Sequence, residues 1–290
     1  MSLSRVVHQH TAGELLGWAA RRSLGRATAP LRLLPDFLII GAQRAGTTSL
    51  FHHLAAHPDV TPSFPKEVHY FTNHYHRGPG WYRSHFPLVA WKTAAQRRGR
   101  PPLLTGEATP YYLAYPHAAR RVRRELPNAR LIVLLRNPVD RAYSHYLHEV
   151  ASGIETLTFA DALAREKDRL NSELNRMKQD EGYLSFNYQH FSYLERGLYA
   201  EQIACWLEHF DRDQLLILCS EEFSAQPART FDRVLRFLGL RPWEPDSFRR
   251  YHQSGAAALD AKSRARLIAY FRPHNERLHD NLGIDFGWDA

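Results

Sequence analysis

Residues 35–50 of this 290-residue chain read PDFLIIGAQRAGTTSL. Residues 37–40 are wholly apolar and are followed by Gly41, which is typical of a strand buried on both faces of a parallel sheet. Gly41 and Gly46 allow the following turn to bend tightly and to approach a ligand closely. Hydroxyl residues at 47–49 then begin a helix. The stretch therefore predicts a strand, a glycine-containing loop and a helix that together hold a phosphate.

The chemistry of this loop favours an anion. A helix N-terminus presents unpaired N–H groups and a partial positive charge, and successive N–H groups in a loop form a concave anion site. A P-loop of an NTPase carries a lysine directly after its second glycine, which reaches the β and γ phosphates of the nucleotide. Here Thr47 holds that position, and Arg44 is the only cation of the loop. The loop is expected to bind a terminal phosphate ester rather than a triphosphate with its metal.

The composition is basic, with 38 Lys and Arg against 30 Asp and Glu and a net charge of +8. This charge favours an anionic ligand or acceptor but carries no information about the fold. Only 5 of the 38 basic residues are lysine, which hints at a GC-rich bacterial genome.

The length suits one large α/β domain, expected over residues 35–290 after an N-terminal arm at residues 1–34. Arginines lie between leucines in the arm. We interpret the arm as a docked or frayed helix in preference to a membrane anchor. The arm has no apolar run long enough for a signal peptide or a membrane span. Cys205 and Cys219 lie in apolar surroundings and are expected to be free thiols, which fits a reducing, cytoplasmic compartment.

Three further segments continue the pattern of the first strand. Residues 103–112 are predicted as a strand that ends in a loop, and residues 129–135 and 214–219 as buried strands, with helices between them. This alternation predicts an α/β fold with a mainly parallel sheet flanked by helices, of the P-loop-like type. Residues 159–180 are predicted as one charged helix and residues 181–192 as an aromatic loop.

A second anion motif follows the strand at residues 129–135. It reads Arg-Asn-Pro-Val-Asp-Arg from residue 136, and Pro138 suits the first turn of a helix. Arg136 would lie at the strand end and Ser144 about two turns into the helix. Because an arginine fork binds a phosphate through two hydrogen bonds, this pair predicts a second phosphate site.

Residues 65–71, PKEVHYF, carry a third candidate group. If the segment is extended, Glu67, His69 and Phe71 point to one face. A carboxylate and an imidazole at that spacing can share a site. Glu107, in the strand at residues 103–112, is the rival carboxylate.

These motifs resemble those of the sulfotransferases that use 3′-phosphoadenosine 5′-phosphosulfate (PAPS). The first loop is similar to their 5′-phosphosulfate loop, (Pro/Gln)-Lys-x-Gly-Thr-Thr, and the second motif resembles their 3′-phosphate motif. The resemblance covers residues 35–240 and implies a donor site of Arg44, Ala45, Gly46, Thr47, Thr48, Ser49, Arg136 and Ser144. Residues 65–71 resemble the Glu-Val-His-Phe-Phe motif of heparan sulfate sulfotransferases, which implies that Glu67 is the general base and that Arg44 and His69 assist catalysis.

The chain departs from the family's patterns at three places. Arg44 replaces the loop lysine and keeps its charge but not its geometry, because a guanidinium is a planar fork. Ala108 stands where the glucosaminyl 3-O-sulfotransferases have a lysine before Thr-Pro, so a role of that lysine in acceptor binding does not transfer. The C-terminal part has no loop of the Lys-Gly-Arg type.

The resemblance implies an enzyme that transfers a sulfuryl group from PAPS to a hydroxyl or amine of a carbohydrate or other polar acceptor and releases adenosine 3′,5′-bisphosphate (PAP). No metal, nucleic acid or integral membrane segment is expected, and the acceptor and oligomeric state stay open. The alternative is a P-loop kinase or NTPase with a degenerate loop, which Thr47 and the lack of a strand-terminal aspartate for magnesium weaken. A nucleic-acid-binding module rests on net charge alone.

Overall fold

A four-stranded parallel sheet lies at the centre of the computed structural model, which describes residues 25–97, 101, 103–249, 251 and 258–288. Its strands are β1 (Phe37–Gly41), β2 (Gly106–Ala108), β3 (Arg130–Leu135) and β4 (Leu215–Cys219), in the order β2-β1-β3-β4. Phe37 pairs with Gly106 on one side and with Arg130 on the other, and Leu131 pairs with Leu215. The predicted α/β fold with a parallel sheet is confirmed.

Burial on both faces explains why these strands are apolar runs rather than alternating patterns. Every residue of β1 is buried, and so are the five residues that follow Arg130 in β3. Gly106 is needed where β2 meets β1, because a Cβ atom there would come within 2.5 Å of the Phe37 ring.

Helices cover both faces of the sheet. Among the described residues they are α1 (Thr47–Ala56), α2 (Gly78–Arg83), α3 (Val89–Arg97), α4 (Ala118–Glu125), α5 (Pro138–Ala151), α6 (Phe159–Leu170), α7 (Glu173–Gln179), α8 (Phe186–Phe191), α9 (Tyr199–Leu207), α10 (Ser220–Ala225), α11 (Pro227–Leu238) and α12 (Ala261–Leu282). Capping follows the expected chemistry. The Asn137 side chain accepts from the Val139 N–H at 3.0 Å before α5, and Gly239, with φ of 69°, ends α11.

Two predictions for residues 159–192 were wrong. The single charged helix is broken between α6 and α7, where Ser172 takes a left-handed conformation with φ of 62°. The aromatic loop contains α8, because the Ser185 hydroxyl accepts from the Tyr188 N–H at 2.9 Å and begins a helix there. This helix places His190 and Phe186 on the functional cleft described below.

The last part of the predicted N-terminal arm packs on the domain. The Leu33 N–H donates to the Pro87 carbonyl at 2.9 Å, and Arg32 donates to the Phe86 carbonyl at 2.5 Å. Residues 1–24 lie outside the described residues, so the character of the arm stays a prediction. Within the described ranges, none of the helices combines the length and apolar character that crossing a membrane requires.

The order of the strands opens a crevice above β1 and β3. The chain passes from β1 to β2 on one side of β1 and then crosses to β3 on the other side. In parallel sheets of this kind, ligands bind at the carboxyl ends of the strands, at the point where the strand order reverses. The Ala42 N–H donates to the Leu134 carbonyl at 2.7 Å, which holds the loop after β1 against β3. Both predicted anion motifs therefore leave the sheet at this edge.

Candidate active site

A cleft of about 1590 Å³ lies at this edge of the sheet. It is larger than the roughly 300–1,000 Å³ of an ordinary ligand pocket, so it has room for two substrates. Its walls bring together nine of the predicted site residues: Arg44, Gly46, Thr47, Thr48, Ser49, Glu67, His69, Arg136 and Ser144. Ala45 lies under the loop, fully buried, and its N–H donates to the Ala42 carbonyl at 3.3 Å.

The loop after β1 has the backbone of an anion site. Gly46, with φ of 91°, directly precedes α1, so the unpaired N–H groups of the first helical turn face the loop. Arg44 also has a positive φ, 68°, which is uncommon for a residue with a Cβ atom. Such backbone strain concentrates at functional sites. Ser49 lies further into α1, where its hydroxyl accepts from the Tyr251 N–H at 3.0 Å.

Arg44 connects the two anion motifs. Its Nε donates to the Ser144 hydroxyl at 3.1 Å, and Arg136 Nη1 donates to the Arg44 carbonyl at 3.0 Å. Burial and then the charge of Arg136 lower the pKa of Arg44. Two guanidinium groups and a hydroxyl thus converge on the cleft at the carboxyl ends of β1 and β3, and an anion placed between them would relieve the repulsion of the two charges.

Glu67 and His69 contact each other at the cleft, but their segment is not extended as expected. His69 has φ of 54°, and Phe71 is fully buried in the core, so Phe71 does not share their face. His69 Nε2 lies 3.2 Å from Glu67 Oε2, and Lys66 Nζ lies 2.7 Å from Glu67 Oε1. Burial alone would raise the pKa of Glu67, but the hydrogen bond of His69 and the charge of Lys66 outweigh it and lower the pKa to about 2.

Glu107 is fully buried and does not line the cleft. Its carboxylate accepts hydrogen bonds from the hydroxyls of Tyr82 at 2.6 Å, Thr109 at 2.7 Å and Tyr112 at 2.9 Å, and from the Val68 N–H at 3.2 Å. Burial raises its pKa against the effect of these donors. Because Val68 lies between the two cleft residues of its segment, Glu107 positions Glu67 and His69 rather than facing a substrate.

Glu107→Gln is expected to lower the free energy of unfolding by about 1–3 kcal/mol. The new amide N–H₂ group would face buried donors from which the carboxylate accepts hydrogen bonds, so some of these bonds are lost. Urea unfolding measures the change. Glu222→Gln, at an exposed ion pair with Arg233, is the matched control and should change stability by less than about 0.5 kcal/mol. Equal stability of Glu107→Gln and the wild type would contradict the positioning role.

Several polar residues of the cleft wall were not predicted from the sequence, among them His148, Glu149 and His190. His148 lies four residues after Ser144 in α5, so helical spacing alone would have placed both on one face. His190 belongs to α8 and had no sequence signal. Its Nδ1 lies 2.9 Å from Glu149 Oε2, a contact between residues 41 positions apart.

The end of the cleft beyond α1 is aromatic. Phe223, Phe248, Tyr251 and His53 line it, and the rings of His53 and Phe248 lie 5.1 Å apart. Arg249 lines the same end. An apolar, aromatic floor of this kind suits a base of a nucleotide. Among the described residues, no three His, Cys, Asp or Glu side chains are grouped as ligands of a metal.

A parallel sheet with a glycine-containing loop and helix N-terminus after β1, and an arginine and serine after β3, defines a nucleotide-binding α/β domain of the P-loop-like class. The chain matches the sulfotransferase domain family over residues 34–255 and belongs to that family. Its reaction class is therefore that of the PAPS-dependent sulfotransferases.

Individual relatives agree with the family. The chain is 30% identical to the sulfotransferase from Alicyclobacillus acidocaldarius, with a TM-score of 0.66 over 89% of this chain and 100% of that chain. It is 29% identical to the mouse heparan sulfate glucosamine 3-O-sulfotransferase 3B1 over 88% of this chain, and 28% identical to the membrane-associated sulfotransferase kil1 of Dictyostelium discoideum over 89%. These matches span 65% and 67% of the two curated relatives, so the chain covers about two thirds of their length.

Proposed function

We propose that this enzyme transfers the sulfuryl group of PAPS to a hydroxyl or amine of a small-molecule or glycan acceptor, with Glu67 as general base. The observation that carries the proposal is the convergence of Arg44, Arg136 and Ser144 on a cleft that Glu67 also lines. The kinase or NTPase alternative is not favoured by the family to which the chain belongs.

The residues of the cleft fit the donor. The N–H groups at the start of α1 and the Arg44 guanidinium would hold the 5′-phosphosulfate, and the two side chains Arg136 and Ser144 would hold the 3′-phosphate. The aromatic end of the cleft, which includes Phe248 and Tyr251, would take the adenine. The roles of these residues are part of the proposal.

PAPS supplies an activated sulfuryl group whose leaving group is PAP. Glu67 accepts the proton of the acceptor while the acceptor atom bonds to sulfur, a contribution of about 10²–10⁴ in rate. Arg44 and the N–H groups of Gly46, Thr47 and Thr48 stabilise the charge that develops on the 5′-phosphate oxygen as its bond to sulfur breaks. No metal ion enters the proposed step.

The low pKa of Glu67 sets a condition on this proposal. A carboxylate with a pKa of about 2 is ionised at neutral pH but is a weak base. Its contacts with Lys66 and His69 must therefore loosen when the acceptor binds. His69 Nδ1 is buried without a hydrogen-bond partner among the described residues, so the imidazole has a second nitrogen with which to bind another group.

Arg136→Ala is expected to weaken PAP binding by about 10- to 100-fold, because hydrogen bonds to charged groups contribute roughly 1.5–3 kcal/mol. Binding of adenosine 5′-phosphate, which lacks the 3′-phosphate, should change much less. Calorimetry with both nucleotides measures the difference. Arg123→Ala, at an exposed arginine that does not line the cleft, makes the same change in net charge and should leave both affinities unaltered. Equal losses for the two nucleotides in Arg136→Ala would refute the 3′-phosphate assignment.

The cytoplasmic location and the bacterial origin remain predictions from composition. Among the relatives, one is described as membrane-associated and others are animal enzymes.

A further inference from the structure

The part of the cleft next to Glu67 has a surface that indicates one class of acceptor, and this inference rests on the proposed function. We define the acceptor wall as Glu67, His148, Glu149, Ile154, Phe186 and His190, all of which line the cleft. His148 connects this wall to the donor loop, since burial and then the charge of Arg44 lower its pKa, and the charges of Glu149 and Glu67 act on it in the opposite direction.

The acceptor wall carries two carboxylates. Glu149 is 3% exposed and lies 2.9 Å from His190 Nδ1 and 3.4 Å from His145 Nε2. Burial alone would raise the pKa of Glu149, but its close contacts with the two histidines outweigh burial and lower it. Glu149 is therefore ionised at neutral pH. Glu67 is ionised as well and is partly neutralised by Lys66.

Cations on this side of the cleft already have partners. Arg196 lines the cleft but is only 4% exposed, and its guanidinium donates to the Gln43 side chain and to the carbonyls of Tyr188 and Gln189. The guanidinium carbon of Arg196 also lies 4.5 Å from the centre of the Tyr111 ring. Arg44 and Arg136 belong to the donor site. Among the described lining residues, the acceptor wall thus offers no free arginine or lysine to an anionic acceptor.

The outer edge of the acceptor wall is apolar. Phe186 is 57% exposed although it lines the cleft, and Ile154 lines the cleft as well. The Phe186 ring lies 4.4 Å from the His190 ring. Exposed apolar side chains at the mouth of a site mark contact with an apolar part of a ligand.

We infer that the acceptor is an alcohol or amine that carries an apolar or aromatic group and no negative charge, rather than an anionic glycan. The two carboxylates Glu67 and Glu149 repel an anionic acceptor, and Phe186 and Ile154 bind the apolar part of a neutral or cationic one. The reacting hydroxyl then lies beside Glu67.

Three benzyl alcohols with the same reacting hydroxyl test the inference. They carry a para carboxamide, carboxylate or aminomethyl group and are therefore neutral, anionic and cationic. An N-sulfated heparan oligosaccharide represents the anionic glycans. We expect kcat/KM for the carboxamide and the aminomethyl compound to exceed that for the carboxylate roughly tenfold or more, since like charges about 6–8 Å apart repel strongly at an effective dielectric constant of about 20. Saturation-transfer NMR on the PAP-loaded enzyme measures binding of the same compounds.

Two variants separate charge from apolar contact. Glu149→Gln should reduce the preference for the carboxamide over the carboxylate toward one, with its fold checked by circular dichroism. Phe186→Ala should raise KM for the carboxamide severalfold and leave PAP affinity unaltered. Trp91→Ala is the matched control, because Trp91 is an aromatic residue, 58% exposed, that does not line the cleft. This control should behave as the wild type.

PAP binding by calorimetry is measured first, because an enzyme that does not bind PAP would refute the proposed function itself. An enzyme that binds PAP but prefers the carboxylate or the oligosaccharide would overturn only the acceptor class. So would the absence of both binding and turnover for all three alcohols, or an unchanged KM in Phe186→Ala.

Discussion

Glu67→Gln is expected to lower the turnover number by about 10²-fold or more and to leave PAP affinity close to that of the wild type. The amide keeps the size of the side chain and one hydrogen-bond acceptor but cannot take a proton from the acceptor molecule. Because the partners of Glu67 are Lys66 and His69 and not the arginines proposed to bind the nucleotide, its loss should act on the chemical step and not on the binding of nucleotide. Steady-state kinetics with labelled PAPS and calorimetry with PAP measure the two quantities.

Glu107→Gln is the informative comparison for this prediction. Both residues are glutamates of the same neighbourhood, but Glu107 is fully buried and bonded to four donors, whereas the Glu67 side chain is 41% exposed at the cleft. Glu107→Gln should therefore lose both stability and activity, whereas Glu67→Gln should lose activity and keep its stability. If Glu67→Gln retains most of its turnover while Glu107→Gln is inactive, stable and able to bind PAP, then the base is assigned to the wrong carboxylate.

Arg44→Met is expected to lower turnover by about 10²–10³-fold, the usual cost of removing one preorganised donor that stabilises charge in the transition state. Methionine keeps much of the length of the side chain and removes only its charge and donors. The effect should fall mainly on kcat, because charge develops at the 5′-phosphate oxygen only as the bond to sulfur breaks. Single-turnover kinetics with PAPS and an acceptor measure this step.

Arg44→Lys is the control for this prediction because it keeps the charge and introduces the lysine found in the 5′-phosphosulfate loop of the family. It should retain more activity than Arg44→Met, but less than the wild type, since lysine cannot reproduce the planar fork that joins Ser144 to the loop. Turnover of Arg44→Met within tenfold of the wild type would contradict the role of Arg44 in the transition state.

Local patterns were sufficient to predict the elements that surround the proposed donor site. Continuous apolar runs predicted β1, β3 and β4, because a strand buried on both faces has no polar side to reveal. Gly46 and the hydroxyl residues after it predicted the start of α1, since a left-handed turn and an N-terminus each favour particular residues. Arg136 and Ser144 followed from the end of one strand and the spacing of one helix.

The sequence by itself determined the apolar strands, the glycine-containing loop after β1 and the arginine and serine after β3, because each depends on neighbours within about ten residues. Only the tertiary structure decided which glutamate faces the cleft. Glu107 is buried and accepts hydrogen bonds from Tyr82 and Val68, whereas Glu67 lines the cleft. The tertiary structure also decided the acceptor wall, where Glu149 of α5 meets His190 of α8. Contacts over 41 positions depend on how helices pack against one another, and no local periodicity encodes them.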